Sequence, residues 1–412
     1  MKKIKVLVSA YACEPDRGSE PGVGWNWARQ ISRFAETWVI TRVNNKETIK
    51  RELLANPNSN LHFIYYDVQK WLSFWKKRTR GLYLYYLLWQ IGVYRLGKKL
   101  NKEKQFDIVH HITFGNLWLP TFMPLLNIPF IWGPIGGGEQ ISKTFRKGYY
   151  IRSKIKEISR DIILNMSKVN LLFLYTSNKA NIIITKTKDT ADKIPNSNKK
   201  KVIVTTDVAV NSDNIKLMGK ARDNLQIIAV GRLDAWRGFD LLIKTLPRIK
   251  GNNEVKLLIL GEGSDKTRLQ NICKDEKLGD SVIFAGQVEK EKYFEYLSSS
   301  SIFVNPNLKE GGVTVLFDAL SSGLPVICMD IPGSAEIIND DCGIKIKPID
   351  PEQTVSELAA ALMKLVGDPD LRKKMGEAGR KRVQEHYTWE KKGEFIRQVY
   401  EKVLINENPP RP

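Results

Sequence analysis

Cysteine and histidine are scarce in this chain, four of each among 412 residues. Cys13, Cys273, Cys328 and Cys342 stand far apart without metal-ligand spacing, which excludes a disulfide framework and a zinc ribbon and points to a reducing compartment. Long hydrophobic runs are missing as well. The apolar stretch Leu82 to Tyr94 is 13 residues, short of the roughly 20 that a spanning helix requires. Such a segment lies on a bilayer or in a core; it does not cross. Lys2 and Lys3 precede an apolar run as in a secretory leader, but Lys5 interrupts it, so a buried first strand from Ile4 to Ala10 is the expectation.

Acidic residues are scarce in one half only. Residues 1–200 hold 34 Lys+Arg against 14 Asp+Glu, whereas residues 201–412 hold 31 of each, so the net charge of +20 belongs to the first half. A basic half joined to a neutral half implies one surface that meets something anionic: lipid headgroups, nucleic acid or a phosphorylated substrate. Two segments concentrate the excess. Lys70 to Lys104 carries ten basic residues and one acid, interleaved with Trp71, Phe74, Trp75, Tyr83, Tyr85, Tyr86, Trp89 and Tyr94; Lys143 to Arg160 carries seven basic residues and one Glu beside Tyr149 and Tyr150. Aromatic rings beside basic flanks suit a headgroup region, and an anionic membrane surface is the expected partner; the competing reading is core helices with solvated charged ends. No recognisable nucleic-acid module accompanies the charge, so no nucleic-acid partner is expected.

What is present in abundance is alternation. β-rich runs and helical patterns succeed one another along the whole chain, the signature of parallel sheets with crossover helices, and the length favours two domains. Strands are expected at Ile4–Ser9, Thr37–Thr41, Leu61–Tyr65, Ile108–His110, Phe130–Trp132, Asn181–Thr185 and Val202–Val204, then at Gln226–Val230, Val255–Leu260, Val282–Ala285, Ile302–Asn305 and Pro325–Met329. The expected fold is α/β: two Rossmann-like doubly wound parallel-sheet domains facing an interdomain cleft. They comprise residues 1–212 and 222–388, followed by a final helix, 389–412.

The most specific chemistry lies in the second half. Strand Gln226–Val230 delivers Gly231-Arg232-Leu233, and Arg237-Gly238 follows at a helix start, where free backbone N–H groups and two guanidinium groups suit a diphosphate. Strand Ile302–Asn305 leads into Glu310-Gly311-Gly312-Val313-Thr314 and, eight positions beyond Glu310, Asp318 on a helix. Carboxylates at the carboxyl edge of an open sheet accept hydrogen bonds from sugar and ribose hydroxyls. Taken singly, these are also ordinary surface arginines and helix-start acids.

Together they resemble glycosyltransferase family four, the large GT-B family of retaining transferases, over essentially the full chain. Gly231-Arg232-Leu233 with Arg237-Gly238 is similar to that family's Gly-Arg-Leu, Lys-Gly element, with arginine in place of lysine. Gly261-Glu262-Gly263 resembles its Gly-x-Gly turn, and Phe284-Ala285-Gly286 its strand end near the nucleobase. Glu310 to Asp318 resembles its Glu-x7-Glu element, whose first acid contacts the donor sugar and whose second, here the shorter Asp, contacts the ribose. In the first half, Gly18 to Trp25, including Gly22 and Gly24, resembles the family's flexible loop near diphosphate and acceptor. Gly136-Gly137 follows a further strand, and the three early glycines lack the spacing and the acid of a dinucleotide site. Many relatives have a sugar-contacting histidine near the position of Gly133; this chain has none there, and His111 of the pair His110-His111 is the candidate substitute.

The resemblance implies transfer of a sugar from a nucleotide-diphosphate donor, a uridine sugar above all, with retention of configuration. The acceptor hydroxyl attacks on the face from which the diphosphate leaves, and the leaving phosphate takes the proton. Arg232 and Arg237 stabilise the growing charge, and no metal or other cofactor is implied. By the same resemblance 1–212 is the acceptor side, 222–388 the nucleotide side, and 389–412 crosses back to the first domain; the basic, aromatic first half points to a lipid-linked saccharide acceptor in surface polysaccharide assembly, at the inner face of the cytoplasmic membrane. Alternatives that keep the same fold are a nucleotide-sugar epimerase and a non-catalytic nucleotide-sugar-binding subunit.

Overall fold

The structure is a computed structural model that describes residues 3–73, 75–76, 80–119, 121–167, 169–212, 225–249, 255–310 and 312–407. Two compact units divide the chain: Met1–Gly138 with Ile162–Asp207 and Trp389–Pro412, and Glu139–Asp161 with Val208–Thr388. The expected linker around residues 213–221 lies outside the described residues, as do Phe74, Lys77, Arg78 and Gly311.

The first unit is built on a seven-stranded parallel sheet in the order β3-β2-β1-β4-β5-β6-β7. Its strands are β1 (Ile4–Ser9), β2 (Ala35–Thr41), β3 (Leu61–Tyr65), β4 (Ile108–His111), β5 (Phe130–Ile135), β6 (Ile182–Thr185) and β7 (Val202–Val204). Val6, Leu7 and Val8 are all fully buried, because a parallel sheet is covered on both faces and its strands read as continuous apolar runs. Val6 pairs with Thr37 on one side and Ile108 on the other, so strand order reverses at β1.

Four helices occupy the connections before β4: α1 (Ser19–Ser32), α2 (Lys46–Ala55), the single turn α3 (Lys70–Ser73) and α4 (Leu82–Lys104). The last of these corrects part of the sequence reading. Tyr85, Tyr86, Trp89 and Val93 of α4 turn inward and pack with Tyr11, Trp38 and Phe106. A Trp and two Tyr rings of this segment thus join the core, and two of its basic residues, Lys102 and Lys104, fall in the last turn, where they oppose the helix dipole. Trp71 and Tyr83 remain exposed. The final helix, Trp389–Glu407, belongs to this unit; Ile396, Val399, Tyr400 and Val403 bury its inner face.

The second unit carries a six-stranded parallel sheet in the order β10-β9-β8-β11-β12-β13. Its strands are β8 (Gln226–Val230), β9 (Lys256–Leu260), β10 (Val282–Gly286), β11 (Ile302–Asn305), β12 (Val326–Met329) and β13 (Gly343–Ile346). The sequence reading misses β13, a four-residue edge strand whose Lys345 interrupts the apolar pattern. The second basic segment also groups differently from the sequence reading. Glu139–Asp161 belongs to this unit because Ile141 and Phe145 are buried in its core and Lys309 donates to both Glu157 oxygens at 2.7 and 2.8 Å. Helix α5 (Ile151–Ser167) begins in this segment and ends in the first unit.

Candidate functional site at the carboxyl edge of the second sheet

Strand order in the second sheet reverses between β8 and β11, the place where open α/β sheets hold ligands beyond the strand ends. Two loops meet there. The chain leaving β8 runs through Gly231, Arg232 and Leu233 into a turn of 3-10 helix, Ala235–Arg237, and then Gly238 at φ +66. A β-carbon on Gly238 would lie 2.1 Å from the Pro306 carbonyl oxygen of the loop after β11, so only glycine allows this approach. Leu308 N–H donates to the Trp236 carbonyl at 3.1 Å and locks the same junction. The turn after β9 nests behind them: the Leu233 N–H donates to the Glu262 carbonyl at 3.0 Å, and a β-carbon on Gly261 or Gly263 would strike the Gly231 or Leu233 carbonyl. Gly286 at the end of β10 accepts from the Gly261 N–H at 2.7 Å, and Ala285 precedes it, so the expected nucleotide-side residues Gly231, Gly261, Gly263, Ala285 and Gly286 form one continuous ridge of backbone.

Glu310 is the organised acid of the site. It is 1% exposed, and both oxygens are held: Oε2 accepts from Asn307 Nδ2 at 2.7 Å and Asn305 Nδ2 at 3.0 Å, while Oε1 accepts from the Gly312 N–H at 3.1 Å. The sequence reading gave Asn305 and Asn307 no role in the site; their positions flanking Pro306 at the strand end are the signal that could have found them. Arg237 lies within electrostatic reach of Glu310, which pulls its guanidinium up while burial, the larger influence, pulls it down. Its plane covers Trp236 at 4.2 Å, and its Nε–H is buried with no acceptor among the described residues. An unmet donor in a buried cation is uncommon and fits an anionic ligand. Arg232 differs. Its side chain is exposed and forked onto Asp234, at 2.7 Å through Nε and 2.6 Å through Nη2.

Beyond Gly312, the helix Thr314–Ser321 starts from Val313 with no side-chain cap, leaving first-turn N–H groups for a ligand. Asp318 sits one turn in and accepts from the Tyr293 hydroxyl at 2.9 Å. Burial pushes its carboxyl up to about 6, against the pull of Tyr293 and Lys290.

The family model described as glycosyl transferases group 1 matches residues 211–382, the span that contains all of these groups. Over that span the chain resembles glycosyltransferases of this group. It is 26% identical over 193 residues to an uncharacterized glycosyltransferase of Methanocaldococcus jannaschii, a stretch covering 46% of this chain and 48% of that one. It is 30% identical over 186 residues to the GDP-mannose-dependent monoacylated alpha-(1-6)-phosphatidylinositol monomannoside mannosyltransferase of Corynebacterium glutamicum, covering 43% and 47%. Against the gpi3 subunit of Schizosaccharomyces pombe phosphatidylinositol N-acetylglucosaminyltransferase it is 28% identical over 189 residues, covering 46% and 40%. The chain thus spans about half the length, or less, of these curated relatives. Its fold is GT-B. Sucrose-phosphate synthase of Thermosynechococcus elongatus superposes with a TM-score of 0.64 at 16% identity over 98% of this chain and 100% of that one. Anabaena HepE in complex with UDP and glucose gives 0.61 at 11% identity over 97% and 100%.

The first-unit candidates behave differently. His111 is a core histidine: it is 1% exposed, with Nε2 against the Tyr86 hydroxyl (3.2 Å) and Nδ1 against Ser9 Oγ (3.1 Å). With both ring nitrogens engaged, it has none left for a sugar, and burial, with His110 adding to it, drops its pKa to about 3. Gly22 and Gly24 lie inside α1 rather than in a loop, where β-carbons would strike the Arg17 and Ala12 carbonyls. Gly136 and Gly137 follow β5; the Gly136 N–H donates to the Gly115 carbonyl at 2.9 Å, and Gly137, at φ +100, packs against Trp118.

Proposed function

We propose that this protein transfers a sugar from a nucleoside-diphosphate donor to a hydroxyl of a lipid-linked saccharide, with retention of configuration. The observation that carries the reading is a fully held Glu310 carboxylate near Arg237, a buried cation whose Nε–H has no acceptor among the described residues. An acid clamped by three donors presents a fixed oxygen to a sugar hydroxyl, and a guanidinium with an unmet donor receives a phosphate oxygen. In this mechanism Arg237, with Arg232 once released from Asp234, stabilises the charge that grows on the leaving diphosphate. The backbone N–H groups at the start of Thr314–Ser321 add to that field, and Asp318 accepts from a ribose hydroxyl. The acceptor hydroxyl attacks from the leaving-group side and gives its proton to the departing phosphate. Two of the curated relatives carry names that place their sugars on phosphatidylinositol lipids, which supports a lipid acceptor.

Titration calorimetry of UDP, GDP and ADP tests the donor half of this proposal. UDP is expected to bind best, and Arg237→Ala to weaken it by about tenfold or more, as the loss of a charge-assisted contact does. Equal weak binding of all three diphosphates, unchanged by Arg237→Ala, would sink it.

A further inference from the structure

Helix α5 has two faces that do not belong to the same environment. At 100° per residue, Ile151, Ile155, Ile158, Ile162 and Met166 fall within about 80° of arc, and each is 53–75% exposed. The buried face, centred on Glu157 and Leu164, lies on the opposite side. That inner face is complete. Lys309 grips both Glu157 oxygens at 2.7 and 2.8 Å, and Arg146 holds Asp161 at 2.5 Å. The apolar stripe is therefore not a core face left over; it points outward from a helix already anchored by its other side. Val169 and Leu171, which follow α5, are exposed too.

Charge selects the occupant. The two acids of α5 are both turned onto basic partners, whereas Arg152 and Lys154 lie one on each side of the stripe, each about 40° beyond its edge. A second copy of this surface would set like charges against like. An apolar stripe rimmed by Lys and Arg matches an anionic lipid surface, the apolar face lying at the headgroup boundary and the cations among the headgroups. The helix has 17 residues, and among the described residues no helix is long and apolar enough to cross a membrane.

We infer that α5 is an interfacial helix that docks the protein on an anionic lipid surface through Ile151, Ile155, Ile158, Ile162 and Met166. The inference rests on the lipid-acceptor reading only for its purpose, not for its physics. The test is co-sedimentation of the whole protein with vesicles of phosphatidylcholine alone or with phosphatidylglycerol, beside UDP calorimetry without vesicles. Wild type should bind the phosphatidylglycerol vesicles, and Ile155→Glu/Ile162→Glu should reduce binding about tenfold or more with UDP affinity unchanged. Arg152→Glu/Lys154→Glu should abolish the preference for anionic vesicles. Undiminished binding by both variants, or none by wild type, would overturn the inference. So would a wild-type dimer that Ile155→Glu/Ile162→Glu renders monomeric, since the occupant would then be a second copy. Vesicle binding without UDP binding would instead overturn the donor reading and leave this one standing.

Discussion

Asp318 ties the candidate site to pH. Its carboxyl is raised to about 6 by burial, against about 3.9 in an unfolded chain, so between those values the folded protein keeps a proton that the unfolded chain has lost. The stability linked to that proton is fully present below about 4 and is lost as pH rises through about 6, on the order of 2–3 kcal/mol. Asp318→Asn keeps an acceptor for Tyr293 without the charge. The gap between the melting temperatures of Asp318→Asn and wild type is expected to widen in favour of the variant from pH 4 to pH 7; a gap that stays flat would show that the carboxylate is well solvated. Glu310 and Asp318 were both legible in the sequence from their eight-residue spacing. The asparagines that hold Glu310 were not, because an amide at a strand end becomes a clamp only when the loop folds back over it.

At the scale of elements, the decisive packing is that of α5 on the loop before Glu310. Lys309 and Glu157 are 8% and 4% exposed and separated by 152 positions in the chain. Lys309 also covers the Trp236 ring at 5.1 Å, beside Arg237. Removing one member of such a pair leaves a buried charge without its counter-ion, at about 3–5 kcal/mol, whereas replacing both by apolar groups is close to neutral. Lys309→Met is therefore expected to lower the unfolding free energy by that amount, and Lys309→Met/Glu157→Leu to recover most of it, as read by urea titration. Additive losses in the double variant would show that the two side chains stabilise independently. The elements themselves were largely legible: every strand but β13 was expected within a few residues of its place. The two basic, aromatic segments were not separable by composition. Composition counts rings and charges, but α4 buries Tyr85, Tyr86 and Trp89 whereas α5 exposes its isoleucines, a difference set by which face each sheet and loop covers.

For the whole molecule, the chain passes more than once between its two units, and its last helix completes the first. Tyr400 donates to or accepts from His110 Nδ1 at 2.8 Å, while Lys392 reaches Thr205 Oγ1 at 2.7 Å and the Thr206 carbonyl at 2.8 Å. Deleting residues 389–412 uncovers α1 and deprives a buried histidine and two threonines of their partners, a cost of about 1–3 kcal/mol for each buried polar group left unmet. Hydrogen–deuterium exchange is expected to show β1 and β4 losing protection while β8 and β11 keep theirs; equal protection in all four strands would make the helix dispensable.

What the sequence determined by itself was whatever depends on neighbours along the chain. Apolar runs punctuated by glycine become parallel strands, and Gly231-Arg232-Leu233, Arg237-Gly238 and Glu310 to Asp318 carry the family likeness because each spans a single strand end. Only the tertiary structure decided what depends on distant residues. It made His111 a core residue by closing Ser9 and Tyr86 around it, assigned Glu139–Asp161 to the second unit through Ile141 and Phe145, and turned the apolar stripe of α5 outward by fixing Glu157 to Lys309. Burial is a property of the packed whole, and it sets which charges and rings are free to act.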